Sequence, residues 1–188
     1  MKKREKAASG SNQQYAEDYW AFSLAVYDYP EVAQACLILQ NSAGVDVNVM
    51  LIALWAANRL GRAITREEIS AGDREIAVWR EEVVEPLRKI RTRLKEGFGG
   101  AHLDTDGLRN LVKSAELNAE RVEQGMLAGW VSALPPGDEP LNLAGCTRTV
   151  GSVIDFYANK MNSVACMADL RHLSDKIAQA AMLHAFAH

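Results

Sequence analysis

The sequence predicts an all-α protein, an irregular helical bundle of about six to eight helices around one buried helix. Apolar residues recur at steps of three and four along most of the 188 residues. No strand-like alternation of any length interrupts this pattern, and no repeat of ~20 to 50 residues is visible. A chain of this length buries enough surface to fold without a disulfide or a structural metal.

The N-terminal residues and the length of the apolar runs indicate where the protein is located in the cell. Residues 1–12 are polar and contain Gly and Ser, so we expect a disordered tail before a single all-helical domain at 13–188. The basic start MKKREK is not followed by an apolar stretch, which disfavours a secretory signal and predicts a cytoplasmic protein. The longest apolar run, Val49 to Ala57, has nine residues, so membrane insertion is not expected.

Composition also narrows the chemistry. A formal net charge of -3 provides no protein-wide attraction for nucleic acid. The cysteines Cys36, Cys146 and Cys166 are widely spaced and form no CxxC pair, which argues against a disulfide framework and a thiolate zinc site. We therefore predict no cofactor and no metal.

The first helices follow from aromatic spacing and proline. Tyr19, Phe22 and Val26 recur at helical steps and predict a helix that ends near Tyr29. Pro30 ends it and is expected in the first turn of the next helix, where a missing N–H costs nothing.

The stretch GVDVNVMLIALWAANRL predicts the buried central helix. Gly44 allows the preceding turn, Asp46 is the expected N-cap, and Gly61 is expected to end the helix. We expect Asn48 to bond to a neighbouring loop. The alternative is that this helix N-terminus binds an anion or the backbone of a partner.

Two further segments complete the first half of the bundle. Thr65 and Glu68 have the spacing of a capping box, which starts a new helix. Interruptions are expected at Gly72-Asp73 and at Pro86, dividing residues 65–97 into two or three pieces.

The longest helix is predicted at 105–133, after a glycine-rich loop. A Pro-rich connection at 134–144 then leads to a C-terminal helical region that is expected to divide near 159–162. The long helix carries a stripe at steps of three and four that is typical of a bundle seam. Its members are Leu108, Leu111, Ala115, Ala119, Val122, Met126 and Trp130.

Three phrases of the sequence resemble a known family. They are WAFSLAVYDYPEVAQACLILQNSAGVDVNVMLIALWA, WREEVVEPLRKIRTRLK and ELNAERVEQ. Together they are similar to DUF2390, a bacterial family of unknown function, over roughly residues 18–130. The resemblance implies a bacterial origin, and it carries over no activity, cofactor or catalytic residue.

Acidic residues form the first candidate site. Glu116, Glu120 and Glu123 share a helical ridge and could bind metal or transfer protons if they faced the bundle interior. The Glu-x-x-His pairs of di-metal bundles do not occur in this sequence. The alternative is an exposed or interface flank that pairs with Arg or Lys from a neighbouring helix.

Basic residues form the second candidate. Five cations fall within eight residues, which invites a nucleic-acid or lipid-surface interpretation, although pairing with the acidic ridge is the favoured one. They are Arg88, Lys89, Arg91, Arg93 and Lys95. His184 and His188 have the spacing of two metal ligands, but a fraying helix end disfavours a site there.

For function, we predict a non-enzymatic helical interaction or adaptor protein that self-associates through the 105–133 helix or the C-terminal helices. The alternative is a binder of, or an enzyme acting on, a small apolar or anionic ligand in an interhelical pocket. Trp79 and Trp130 are expected to lie in the core with the other two tryptophans. The residues assigned to the pocket are Trp20, Gln40, Asp46, Asn48, Trp55, Arg80, Glu116 and Glu120.

Overall fold

The computed structural model describes residues 17–96, 105–138, 140–161 and 167–184, and within these ranges it contains helices and no strands. The predicted all-α fold class is confirmed. The first half of the chain contains α1 (residues 17–27), α2 (Val32–Ala43), α3 (Val47–Leu60), α4 (Arg66–Trp79), a π-helical segment (Arg80–Val84) and α5 (Glu85–Glu96). The second half contains α6 (Asp106–Ser132), α7 (Leu143–Lys160) and α8 (Met167–His184).

Helix α3 is the buried centre of the bundle, as predicted. Every residue from 49 to 57 is buried. Helices α4, α6, α7 and α8 all pack against it. A helix that is apolar on all sides needs neighbours on all sides, which explains why the other helices surround this one.

The predicted ends of α3 and the start of α4 are confirmed. Gly44 and Gly61 adopt the left-handed conformation with φ of 64° and 70°, which glycine reaches without a Cβ clash. Thr65 and Glu68 form the capping box, each side chain bonding to the other residue's backbone N–H. These local signals place the helix boundaries directly.

Pro30 lies in the turn before α2 and not in its first helical turn, so that detail of the prediction was wrong. The Val32 N–H donates to the Tyr29 carbonyl at 3.1 Å, and Glu31 between them has φ of 69°. This is the geometry of a type II turn, which favours proline at its second position. Glu31 also forms an ion pair with Lys176 of α8.

The interruption predicted at Gly72-Asp73 does not occur. Gly72 is buried in a continuous α4, where an added Cβ would lie 2.9 Å from the indole of Trp130. Glycine is needed there because α4 and α6 approach closely. Before Pro86 the helix widens into the π segment, in which the Glu85 N–H bonds to the Arg80 carbonyl. Such a widening shifts the carbonyl that the proline ring would otherwise meet, so the helix continues.

The second half of the chain follows the prediction with one exception. α6 spans the expected long helix, and α7 and α8 are separate helices. The Pro-rich connection is anchored to the end of α3, because the Gly137 N–H donates to the Leu60 carbonyl at 2.6 Å. Arg62 Nε also donates to the Pro135 carbonyl at 2.8 Å.

The exception is the seam predicted on α6. Ala119 and Trp130 are buried, but the other large members of the stripe face outwards among the described residues. Leu111 is 70% exposed and Val122 is 50% exposed. The buried face of α6 is centred instead on Glu123 and Leu127. The predicted tail at 1–12 lies outside the described residues, as do Cys166 and His188.

Candidate functional site

A cleft of about 430 Å³ opens where α1, α2, the start of α3, α5 and α6 meet. Its volume falls in the range of small-molecule sites, roughly 300 to 1,000 Å³. Helix α1 contributes Trp20, Ser23, Leu24 and Tyr27, α2 contributes Cys36, Leu37 and Gln40, and α3 contributes Asp46, Val47, Asn48 and Leu51; α5 supplies Arg88 and Arg91, and α6 supplies Lys113, Glu116, Leu117, Glu120 and Gln124.

Most residues assigned to a pocket from the sequence line this cleft. They are Trp20, Gln40, Asp46, Asn48, Glu116 and Glu120. Trp55 lies instead in the core, 7% exposed, with its ring in edge contact with Tyr19 at 6.0 Å between centroids. Arg80 lies behind the cleft wall, where it contacts Asp46.

Asp46, in the cleft lining, uses both of its carboxylate oxygens in bonds that stabilise the fold. Oδ1 caps α3 by accepting from the backbone N–H groups of Asn48 at 2.9 Å and Val49 at 3.3 Å. Oδ2 accepts from Arg80 Nη1 at 2.9 Å. The predicted N-cap is confirmed, and the ion pair adds a tertiary role.

We expect Asp46→Ala to lower the free energy of unfolding by more than the ~0.5 to 2 kcal/mol of a lost cap, because Arg80 also loses a buried partner. Asp46→Asn keeps an acceptor for the two amides and removes only the charge, so its loss should be smaller. Urea denaturation of both variants separates the two contributions. Equal losses would contradict the assigned double role.

Behind Asp46, buried charges connect three helices. Arg80 Nη2 lies 2.6 Å from Asp73 Oδ1, and both side chains are at most 12% exposed. Tyr157 donates to Asp73 Oδ1 at 2.7 Å, and Lys160 donates to Oδ2 at 2.8 Å. Burial opposes ionisation of Asp73, but the bonds from Lys160 and Tyr157 and the charge of Arg80 hold its pKa below the ordinary value.

A second buried acid contacts the cleft wall from inside. Asn48 Nδ2 donates to Glu123 Oε2 at 2.8 Å, so Asn48 bonds to α6 and not to a loop as expected. Glu123 is fully buried, and its Oε1 has no hydrogen-bond partner among the described residues. Burial and then the nearby charge of Asp46 raise the pKa of Glu123 to about 8. A carboxyl with this pKa is mostly protonated at pH 7.

The acidic ridge and the basic stretch pair with each other across α5 and α6, the arrangement favoured in the sequence. Arg88 donates from Nε to Glu116 Oε1 at 3.1 Å and from Nη2 to Glu120 Oε1 at 2.9 Å. Arg91 donates to both oxygens of Glu116. Despite burial, these bonds hold the pKa of Glu116 below its ordinary value.

Glu120 differs from Glu116 in having an unused oxygen. Burial raises its pKa above the ordinary value, an effect that Arg88 only partly offsets. No hydrogen bond reaches Glu120 Oε2 within the described ranges. Gln124, one turn further along α6, is 3% exposed, and its Oε1 is buried without a partner in the same part of the chain. Ser23 of α1 adds a buried hydroxyl to this lining.

The residues matched by a known family cover the whole of this cleft. The model of the family DUF2390, described as a protein of unknown function, matches residues 18–127. The chain belongs to the DUF2390 family. No curated protein and no solved structure matches the chain.

The DUF2390 match ends inside α6, at residue 127, and includes the whole cleft. Every residue that lines the cleft lies between Trp20 and Gln124, inside the match. Helices α7 and α8 lie outside it, and with them Tyr157 and Lys160 of the buried charge network. The cleft is therefore built from the DUF2390 region, while its inner support includes residues from beyond that region.

The other surfaces of this DUF2390 chain are weaker candidates for a functional site than the cleft. The rest of the basic stretch is exposed, with Lys89 paired to Glu85 and Arg93 to Glu96. A depression of about 460 Å³ runs along this face of α5, but one helix alone cannot enclose a ligand. Among the described residues, no group of His, Cys, Asp and Glu has the arrangement of a metal site. No single described helix is long and apolar enough to cross a membrane, although α2 and α3, bent by 120°, reach the length and composition together.

Sequence reasoning missed several residues of this region. Asp73 carries a signal, because it occupies an apolar-face position of α4, between the buried Ile69 and Ile76. A charged residue inside an apolar stripe predicts a buried partner. Ser23 and Gln124 carry no such signal, since both residue types are common on helix surfaces.

Proposed function

We propose that this DUF2390 chain binds a small molecule in the cleft. The ligand has an apolar body and a head group that donates hydrogen bonds, and a primary ammonium group fits this head best. The observation that carries the proposal is the unpartnered oxygen of Gln124, buried in the lining of a cleft of ligand size. A buried acceptor without a donor costs roughly 1 to 3 kcal/mol, which a bound donor would recover.

The neighbouring acceptors support a cationic head. Glu120 lies one helical turn before Gln124, so both side chains lie on the same face of α6. The second oxygen of Glu120 accepts no hydrogen bond from the described residues, and burial raises the pKa of this carboxyl by more than Arg88 lowers it. The hydroxyl of Ser23, also buried without a hydrogen-bond partner among the described residues, is a third acceptor in the lining, and an ammonium group has three N–H groups to donate.

The other walls of the cleft support an apolar body. Leu24, Leu37 and Leu117 line it and are each between 47% and 49% exposed, and Tyr27 is 37% exposed. Trp20 adds an indole that also lies under the guanidinium of Arg121, 5.6 Å from the ring centroid. Apolar surface around a few polar groups is the usual composition of a ligand site.

The paired arginines argue against the anionic ligand considered from the sequence. Arg88 and Arg91 already donate to Glu116 and Glu120. An anion would have to compete with these carboxylates, whereas a cation would add to them. The charge pattern therefore favours an amine over a carboxylate of the same shape.

We expect hexylamine and phenethylamine to bind more tightly than hexanoate and phenylacetate in isothermal titration calorimetry. Glu120→Gln should weaken amine binding by roughly 10- to 150-fold, the value of a charge-assisted hydrogen bond. Glu85→Gln is the matched control, because the side chain of Glu85 is 44% exposed and its ion-pair partner among the described residues is Lys89. It should leave amine binding unchanged.

Two results would contradict the proposal. Carboxylates that bind as tightly as amines would remove the argued head group, and equal effects of Glu120→Gln and Glu85→Gln would place binding elsewhere. Gln124→Met, which removes the unpartnered acceptor without changing charge, should weaken amine binding and slightly stabilise the free protein. Thermal unfolding of the free variant checks the second effect.

A further inference from the structure

Helix α6 has an apolar face that no other helix covers within the described residues. Leu108 is 55% exposed, Leu111 70%, Val122 50% and Met126 40%. Ala115 between them is exposed as well. Large contiguous apolar surface on a protein usually marks an interaction site.

The spacing along this face is that of a coiled-coil seam. The positions 108, 111, 115, 118, 122, 125 and 129 alternate steps of three and four, a mean repeat of ~3.5 residues. The residues at these positions are uncharged, so a second copy would meet no like-charge repulsion along the seam. They are Leu108, Leu111, Ala115, Asn118, Val122, Gly125 and Gly129.

The two glycines of the seam are not explained within the chain. Glycine inside a helix costs about 1 kcal/mol relative to alanine. A Cβ added to Gly125 or to Gly129 would meet nothing within 4 Å. Within the part of the chain that the structure describes, no close approach therefore requires these glycines, unlike Gly72, which lies against Trp130. Glycine on an exposed helix face allows the backbone of a partner to come close.

The order of large and small residues selects one orientation. When α6 is paired with a reversed copy of itself about the midpoint of 118 and 119, Leu108 faces Gly129 and Ala115 faces Val122. Leu111 then faces Met126, which lies next to the seam position Gly125 and whose flexible side chain adapts to its neighbour. A parallel pair would place leucine against leucine at one end and glycine against glycine at the other, leaving a void.

We propose that two copies of the chain associate through a two-fold, antiparallel pairing of their α6 helices, centred between Asn118 and Ala119. Such a contact is closed, because the same surface is used on both copies. The cleft stays accessible, since Glu116 and Glu120 project from α6 more than a quarter turn away from this seam. The pairing is independent of ligand binding in the cleft.

Cysteine cross-linking tests the register. Ala115→Cys and Val122→Cys are made as separate variants and mixed, because each residue faces the other across the antiparallel pair. We expect the mixture to form the mixed disulfide on mild oxidation, with little cross-linking of either variant alone or of the wild-type chain. In a parallel pair, equal positions face each other, so each variant would cross-link with itself. The mixed disulfide would not form, because positions 115 and 122 are ~10 Å apart along a helix. That pattern would overturn the proposal.

Sedimentation equilibrium tests the interface with a matched pair of variants. Leu111→Asp places a charge in the seam and should raise the dimer dissociation constant by roughly 100-fold or more. Leu183→Asp, at a 62% exposed leucine of α8, should leave it unchanged. Circular dichroism should show equal helix content in both. A wild-type chain that is monomeric at every concentration, or a Leu111→Asp variant that dimerises like the wild type, would overturn the proposal.

Discussion

Arg80→Met is expected to lower the free energy of unfolding by about 3 to 5 kcal/mol, the usual cost of removing one partner from a buried ion pair. Arg80 is 12% exposed and holds the carboxylates of Asp46 and Asp73. Of the bonds formed by the described residues, Asp46 would then keep its cap bonds, and Asp73 would keep those from Lys160 and Tyr157. Methionine retains much of the volume of arginine, so the lower free energy of unfolding would come from the lost charge and not from a cavity.

Urea denaturation of Arg80→Met should be compared with Lys89→Met. Lys89 lies 3.7 Å from Glu85 and is 78% exposed, so its loss should cost less than about 1 kcal/mol. Adding Asp46→Asn and Asp73→Asn to Arg80→Met should recover part of the lost stability, because the orphaned charges are then gone. If Arg80→Met behaves like Lys89→Met, the buried charge network contributes little to stability.

Glu123→Gln is expected to flatten the pH dependence of stability between about pH 5 and 8. The pKa of Glu123 is raised to about 8 from an ordinary value of 4.5, so in this range the folded state holds a proton that the unfolded state has lost. Folding stability therefore falls as pH rises, by up to ~1.4 kcal/mol per pH unit for this one group. Glutamine resembles the protonated acid and can still accept from Asn48.

The measurement is the free energy of unfolding of both proteins across pH 5 to 9. Asp73 and Glu116 have lowered pKa values and lose stability as pH falls, but they do so equally in both proteins and cancel in the difference. Above about pH 8 the glutamine variant should be the more stable by several kcal/mol. Parallel profiles over the whole range would show that Glu123 titrates normally.

Local signals were sufficient for most helix boundaries. The cap at Asp46, the capping box at Thr65 and the terminal glycines each depend on residues a few positions apart, so the sequence contains the whole interaction. The π segment was not predictable in the same way, because Pro86 permits either a break or a widened turn.

The face of α6 shows why periodicity alone misplaced a surface. The helix carries two stripes at helical spacing, one through Leu111 and Val122 and the other through Glu116, Glu123 and Leu127. The first is the more apolar, so it was predicted to be the core seam. The second is buried because its acids find Arg88, Arg91 and Asn48 on other helices, and those partners lie 25 to 75 residues away in sequence.

The candidate cleft was predictable in part. Trp20, Asp46 and Glu120 were chosen for residue types that commonly form sites, and the fold brings them to one cleft. Ser23 and Gln124 could be found only from their burial and bonding, because an unpartnered atom is a property of the tertiary structure.

The helices that bury α3 are synthesised after it, and this order has a consequence for folding on the ribosome. The Ile64 N–H bonds to Thr149 Oγ1, 85 residues later in the chain, and α7 and α8 both pack against α3. At ~5 to 20 residues per second, the ribosome needs several seconds to add the segments that enclose this apolar helix. Until they emerge, the nascent chain presents a surface that favours aggregation. The host cell would therefore be expected to hold the growing polypeptide on a chaperone, and folding would be completed only after release.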